Sequence, residues 1–107
     1  MKNDKVYVDQ ILDSIRKIES FVGGIDKENF STNFLVQSAV IMQLTLIGEV
    51  SKKISDDLKS KINLPWKEIA GFRDKAIHNY FDINLDIVWN TISIDLPPLN
   101  GELEKIT

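Results

Sequence analysis

The chain has 107 residues, of which 43% are hydrophobic and 27% are charged, and its formal net charge is −3 at pH 7. These values are typical of one globular domain and exclude a disordered chain. The absence of cysteine excludes disulfides, thiolate catalysis and cysteine-based zinc sites.

No apolar run reaches membrane-spanning length, and the first five residues are polar with no signal-peptide core behind them. We therefore expect a cytoplasmic protein with no membrane partner, and a single domain over residues 1–107. The net charge argues against a general nucleic-acid coat, because backbone binding needs clustered cations, but it leaves room for a small basic cleft.

The first part of the chain predicts one amphipathic helix and a short helical turn. The helix runs from about residue 5 to 22, because apolar residues recur there at three- and four-residue spacing: Val8, Ile11, Leu12, Ile15, Ile18 and Val22. Gly23 and Gly24 end it. Asp26 is a candidate cap for a short turn of helix through Phe30.

A second long helix is predicted from Ser31, Thr32 or Asn33 to about Lys53. Its apolar residues cover most of the circumference, whereas a surface helix has one apolar stripe. Such a helix must be covered on several sides, and in so short a chain a second copy would supply the cover. We therefore predict a homodimer. The alternative is that this is the central helix of a monomeric bundle.

The second half of the chain predicts three further helical segments and no strand. One begins at Ser55 or Asp56 and ends near Ile62, and the next runs from Trp66 towards Tyr80, with Pro65 before its first turn. After Phe81, Asp82 or Asn84 can cap a fifth helix.

That fifth helix has Leu85, Val88, Trp89, Ile92 and Leu96 on its buried side. Pro97 and Pro98 are predicted to stop it, leaving a tail that forms a short helical turn or frays. The predicted fold class is therefore all-α, an up-and-down bundle of four to five helices.

The segment from Arg73 to Tyr80 carries the most chemical information. It contains His78, the only histidine, and one of only two arginines. An arginine, an imidazole and a phenol together can bind a phosphodiester, move its protons and add a polar contact. Phosphate chemistry is accordingly the first hypothesis.

Arg73 falls in the middle of the apolar face of the predicted fourth helix. Burying an unpaired guanidinium is too costly, so this position needs a carboxylate partner, a bound anion or a cleft at a subunit boundary. Glu49, late in the long second helix, is the candidate partner. The alternative is a purely structural Arg–Glu pair that holds two helices together.

On a straight helix, the Cβ directions of Arg73 and His78 lie roughly 140° apart, whereas Tyr80 falls on nearly the same face as Arg73. Both groups could meet one phosphate if the arginine reaches around, the helix distorts, or two copies combine their helices across a two-fold axis. The alternative places His78 on the solvent face with Lys67 and Asp74, where it has no function.

The spacing Arg73-x-x-x-x-His78-x-Tyr80 resembles the arginine–histidine–tyrosine motif of the HepT-like toxins, a branch of the HEPN superfamily. The similarity covers roughly residues 5–100 and follows the family's signature stretches in order: Gln37–Val40, Leu46–Glu49, Pro65–Ile69, Gly71–Asp74, His78–Phe81, Val88–Trp89 and Asp95–Pro97. One departure is Val50-Ser51, where small residues such as alanine are expected.

The resemblance implies a small all-α homodimer whose motif residues line a cleft between the subunits. It also implies a metal-independent endoribonuclease that needs no cofactor, cleaves RNA and acts as the toxin of a toxin–antitoxin pair. The implied partner is a minimal nucleotidyltransferase antitoxin that transfers AMP to the motif tyrosine.

By position, the resemblance makes Arg73 and His78 the catalytic pair and Tyr80 the modification site. We further expect Glu49, Asp74 and Asn79 as supporting residues and no metal in the site. Two other readings remain open. One is an inert HEPN-type dimer that accompanies a nucleotidyltransferase and presents a nucleotide-binding groove. The other is a purely structural helical dimer, in which Glu49 neutralises Arg73 and no cleft is open around it.

Overall fold

The computed structural model describes residues 3–79 and 82–107, and the side chains of His78 and Asn79 fall outside that description. Within these ranges the elements are α1 Asp4–Val22, α2 Lys27–Thr32, α3 Phe34–Ser51, α4 Asp56–Lys61, α5 Trp66–Ala70, α6 Phe72–Ala76, β1 Ile77–Asn79, β2 Asp82–Ile83, α7 Leu85–Asn90, a π-helical turn Thr91–Asp95, and α8 Leu96–Glu104. The predicted all-α class is confirmed. The two short strands are the exception within the described part of the chain.

Helix α1 forms as its apolar spacing predicts, and its stripe packs against α3 to build the core. The turn between them also follows the sequence. Asp26 accepts a hydrogen bond from the Asn29 N–H at 2.8 Å, and Asn33 accepts one from the Val36 N–H at 3.1 Å. Each cap satisfies a backbone donor that the helix leaves unpaired, so these two residues fix where α2 and α3 begin.

Helix α3 buries one face and leaves the other uncovered. Val40, Leu44 and Ile47 are at most 1% exposed. On the opposite side the apolar side chains of Phe34, Leu35, Met42 and Leu46 are open to solvent. By length and hydropathy alone α3 could cross a membrane, but core helices of soluble proteins share these properties. The described part of the chain does not cover this face of α3, and the homodimer stays a prediction.

Gly48 sets the close approach of α3 to α5. A Cβ at this position would lie 2.8 Å from the backbone oxygen of Ala70, which is closer than real Cβ contacts allow. Only glycine therefore fits while the two backbones stay this near each other. This contact fixes α5, and the residues that follow it, against the side of α3.

The predicted fourth helix is shorter than expected, and the prediction of no strand is wrong. Its turns are irregular at Gly71, it ends at Ala76, and β1 pairs with β2 in an antiparallel hairpin with Ile77 opposite Ile83. The run from Ile77 to Ile83 is rich in β-branched, aromatic, Asn and Asp residues, which are weak helix formers. The Asn84 N–H closes the hairpin by bonding to the Ala76 carbonyl at 2.7 Å.

Pro97 and Pro98 do not stop the last helix, which continues from Leu85 to Glu104. The turn before them is π-helical, and the Leu96 N–H bonds to the Thr91 carbonyl five residues back. The two missing proline donors then fall in the first turn of α8, where proline is tolerated. The tail, predicted to form a short helical turn or to fray, is instead part of the nine-residue helix α8 and contributes Leu99 and Leu103 to the core.

Candidate active site

Helix α6 is a short element whose neighbouring residues face different surroundings. Phe72 and Ala76 are each 2% exposed and anchor the helix in the core. The side chain of Arg73, next to Phe72, is 42% exposed. Arg73 therefore lies at the edge of the core with its guanidinium reaching solvent, and not in the middle of a buried face.

A shallow groove of about 310 Å³ opens beside Arg73. One wall comes from α3 and the other from α6 and the hairpin, and the lining residues are Ser38, Ile41, Met42, Thr45, Arg73, Ile77 and Ile83. Among these described lining residues most are apolar, and Arg73 is the one cation. Such a surface can hold an anion beside a flat apolar group, which is how a nucleotide divides between phosphate and base.

The guanidinium is weakly paired. Among the described residues, the one carboxylate within ion-pair distance is that of Asp74, whose Oδ1 lies 3.7 Å from Nη1. This separation is too long for a hydrogen bond, and an exposed pair of this kind contributes little energy. The planar donors of Arg73 are therefore available to an incoming anion.

Glu49 does not form the predicted pair. Its Oε2 lies 3.6 Å from Lys52 Nζ, and its side chain is 63% exposed. Helix α3 points this residue away from the core, so it cannot neutralise Arg73 within the chain. The alternative of a structural Arg–Glu pair within the chain is wrong for the same reason. The alternative in which no cleft is open around Arg73 is contradicted by the groove beside it.

His78 and Asn79 lie in β1 and not on a helix, so the 140° separation expected between Arg73 and His78 no longer applies. The main chain runs from Ile77, which lines the groove, directly to His78. Their side chains, and all of Tyr80, lie outside the described part of the structure. The convergence of Arg73 and His78 on one phosphate stays a prediction.

Sequence reasoning did not single out Ser38 and Thr45 as groove residues. They are seven residues apart on α3, so they lie on the same face of the helix, two turns apart. This spacing of two hydroxyl residues within an otherwise apolar helix is the sequence feature that could have identified them. The Thr45 hydroxyl donates to the Ile41 carbonyl at 2.8 Å. Ser38 is exposed, and its hydroxyl bonds to no group among the described residues. Nor do three potential metal ligands cluster anywhere in that part of the chain.

Comparison with known protein families identifies the family of this chain. The sequence model of the family described as ribonuclease HepT-like matches residues 11–106. The chain belongs to the HepT-like ribonuclease family. The resemblance seen in the motif from Arg73 to Tyr80 is thereby confirmed, and the motif lies inside the matched region.

Relatives in this family match almost end to end. A protein of Thermococcus cleftensis named probable ribonuclease HepT is 40% identical over 98% of this chain and 96% of its own length. Two further relatives carry the provisional name RNase. One, from Methanocaldococcus jannaschii, is 40% identical over 95% of this chain and 89% of its own. The other, from Caldanaerobacter subterraneus, is 36% identical over 99% and 96%. No solved structure gives a significant match.

Proposed function

We propose that this HepT-like chain is a metal-independent endoribonuclease in which Arg73 and His78 are the catalytic pair. The observation that carries the proposal is the weakly paired, half-exposed guanidinium of Arg73 on an open groove, in a chain whose relatives are named as ribonucleases. A guanidinium that served only to join two helices would be expected to hold a carboxylate at hydrogen-bond distance, and Arg73 holds none among the described residues.

In the proposed reaction the ribose 2′-oxygen attacks the adjacent phosphorus and the bond from phosphorus to the 5′-oxygen breaks. His78 removes the proton from the 2′-hydroxyl, since imidazole is the side chain best suited to proton transfer near neutral pH. A second group, either the partner subunit's His78 or Tyr80, donates a proton to the departing 5′-oxygen. Arg73 holds the non-bridging oxygens through two parallel hydrogen bonds and stabilises the added charge.

The proposal includes a homodimer that forms through the uncovered side of α3. Phe34 and Leu35 are 78% and 80% exposed, and large exposed apolar patches mark interaction sites. Met42 belongs both to this face and to the groove beside Arg73. A partner seated on α3 would therefore lie next to the proposed site and could complete it.

The proposed biological role is that of a toxin neutralised by a minimal nucleotidyltransferase antitoxin that adenylylates Tyr80. In the sequence Tyr80 follows β1 and precedes β2, and Ile77 and Ile83 of these two strands both line the groove. AMP on Tyr80 would add bulk and negative charge close to Arg73. It would oppose an incoming phosphodiester by obstruction and by repulsion.

Cleavage of a fluorescent RNA in the presence of a chelator tests the proposed activity. Arg73→Ala should lower the rate by about a hundredfold or more, because it removes both hydrogen-bond donors from the transition state. Arg73→Lys should restore only part of that loss, since a lysine keeps the charge without the planar fork.

Arg16→Ala is the matched control for the cleavage assay. Arg16 is the other arginine of the chain, its side chain is 71% exposed on α1, and it lies 3.5 Å from Asp13. Its loss should leave the rate unchanged. Equal rates for Arg73→Ala and the unmodified chain, or cleavage that stops on chelation, would refute the proposed mechanism.

Intact mass tests the proposed modification separately. Co-production with a minimal nucleotidyltransferase should add one adenylyl group per chain, and Tyr80→Phe should abolish the increment while Tyr7→Phe keeps it. An increment that persists in Tyr80→Phe would place the modification elsewhere.

A further inference from the structure

A second pocket lies away from the Arg73 groove and shares no lining residue with it. It has a volume of about 360 Å³ and opens between α5–α6 and the π-helical turn with α8. Ile69, Phe72 and Leu99 form its floor, and each is at most 2% exposed. The volume is at the small end of the range of ligand pockets, so the pocket suits one compact apolar group.

Exposed apolar side chains form part of the mouth of this pocket. Ile94 lines it from the π-helical turn and is 63% exposed. Pro65 and Pro98 lie on the same mouth and are also exposed. Proline and isoleucine lose little side-chain freedom on binding, so this surface is suited to contact with another polypeptide.

Three charged side chains also surround the mouth of the pocket. Glu68, Asp95 and Lys75 all line the pocket, and none of them forms an ion pair within the described residues. Asp95 stands at the start of α8 but makes no capping bond with its side chain. With two carboxylates and one ammonium, the rim is acidic and complements a cationic occupant.

We propose that this pocket is the docking site for a basic segment of a protein partner, with one large apolar side chain in the pocket and a Lys or Arg on either side of it. The floor buries the apolar side chain, and the carboxylates of Glu68 and Asp95 pair with the cations next to it. The exposed Ile94 extends the contact beyond the pocket, along the path of the partner's backbone.

The position of the pocket connects it to the candidate active site. Phe72 and Lys75 line the pocket, whereas Arg73, on the same short helix α6, lines the groove. A segment bound in the pocket would therefore hold α6 without entering the groove. The docking site does not depend on RNA cleavage and can be tested without it.

Methyl NMR of the full chain with labelled isoleucines tests the proposal with three synthetic peptides. The first is acetyl-Lys-Phe-Lys-amide, the second replaces Phe by Ala, and the third replaces both Lys by Glu. The first should shift the signals of Ile69 and Ile94 and leave those of Ile18 unmoved. The other two should bind at least about tenfold more weakly, since they lose the buried ring or the charge match.

A charge exchange decides whether the rim recognises cations. Glu68→Lys with Asp95→Lys should reverse the preference, so that the Glu-Phe-Glu peptide binds more tightly than the Lys-Phe-Lys peptide. Glu19→Lys with Glu28→Lys, two exposed carboxylates away from the pocket, is the control and should keep the original order. Unshifted Ile69 and Ile94 signals, equal binding of the Phe and Ala peptides, or an unchanged order after the exchange would each overturn the proposal.

Discussion

At the scale of single residues, buried side chains of α6 anchor the helix and an exposed one faces solvent. Phe72 and Ala76 secure the helix, so Arg73 can keep its guanidinium at the surface without loosening its backbone. The sequence predicted that Arg73 needs a counter-charge, because the helix face that carries it was expected to be buried. The groove removes that need, since a half-exposed guanidinium is still hydrated and an anion can displace that water.

Asp4 makes a contact that the sequence did not predict. Its carboxylate accepts hydrogen bonds from the Ser55 hydroxyl at 2.6 Å and the Ser55 N–H at 2.9 Å, across 51 residues of chain. Ser55 in turn caps α4 by accepting from the Leu58 N–H. These two hydrogen bonds hold the pKa of Asp4 below its ordinary value, and the bond from the Ser55 hydroxyl has the larger effect.

This contact predicts a pH-dependent loss of stability. A carboxyl whose pKa is lowered on folding stabilises the protein above its unfolded pKa, and the contribution fades as the pH falls below about 4. Asp4→Asn should therefore lower the midpoint of urea unfolding at pH 7 and change it far less at pH 3. Asp9→Asn, which alters an exposed pair with Lys5, is the control and should show little change at either pH. An equal loss for Asp4→Asn at both pH values would contradict the linkage.

At the scale of secondary structure, the long helices were predictable and the irregular elements were not. Helix α1 and the caps Asp26, Asn33 and Asn84 follow from local periodicity and hydrogen bonding. The residues after Ala76 have weak helix propensity, so tertiary contacts and not local sequence determine that β1 and β2 form there. The π-helical turn shifts the hydrogen-bond register before Pro97, and no local rule anticipated it.

The contact between α3 and α5 predicts a large cost for one added methyl group. Gly48→Ala should destabilise the protein by about 1–3 kcal/mol, because the new Cβ meets backbone and the two helices must move apart. Chemical unfolding measures the change. Gly101→Ala is the matched control: beyond its own helix backbone and chain neighbours, no described atom lies within 4 Å of its Cβ position, so the change should stabilise α8 by about 0.5–1 kcal/mol. Equal effects at both glycines would show that the α3–α5 approach is not tight.

At the scale of the whole molecule, a two-fold dimer would account for both the uncovered face of α3 and the single histidine. A reaction that moves two protons needs two groups, and one chain supplies one imidazole. A two-fold dimer on α3 would supply a second set, while covering Phe34, Leu35, Met42 and Leu46. The candidate site was therefore only partly predictable from one chain, because its proposed completion lies in another copy.

The proposed dimer predicts that dimer formation and cleavage are lost together. Leu35→Glu with Met42→Glu should raise the dimer dissociation constant by at least about a hundredfold, since each lost side chain contributes about 1.5–3 kcal/mol and occurs twice in a two-fold interface. Light scattering measures the mass, and circular dichroism should show unchanged helix content.

The control for that variant is Val6→Glu, which changes an apolar residue that is 51% exposed on α1 and should leave mass and cleavage as they were. Because Met42 also lines the groove, Leu35→Glu alone separates the two roles: it should weaken the dimer without touching a groove residue, and cleavage should fall in proportion to the dimer that is lost. A monomeric Leu35→Glu protein that cleaves RNA at the original rate would mean that one chain holds a complete active site, and the second proton would then have to come from Tyr80 of the same chain.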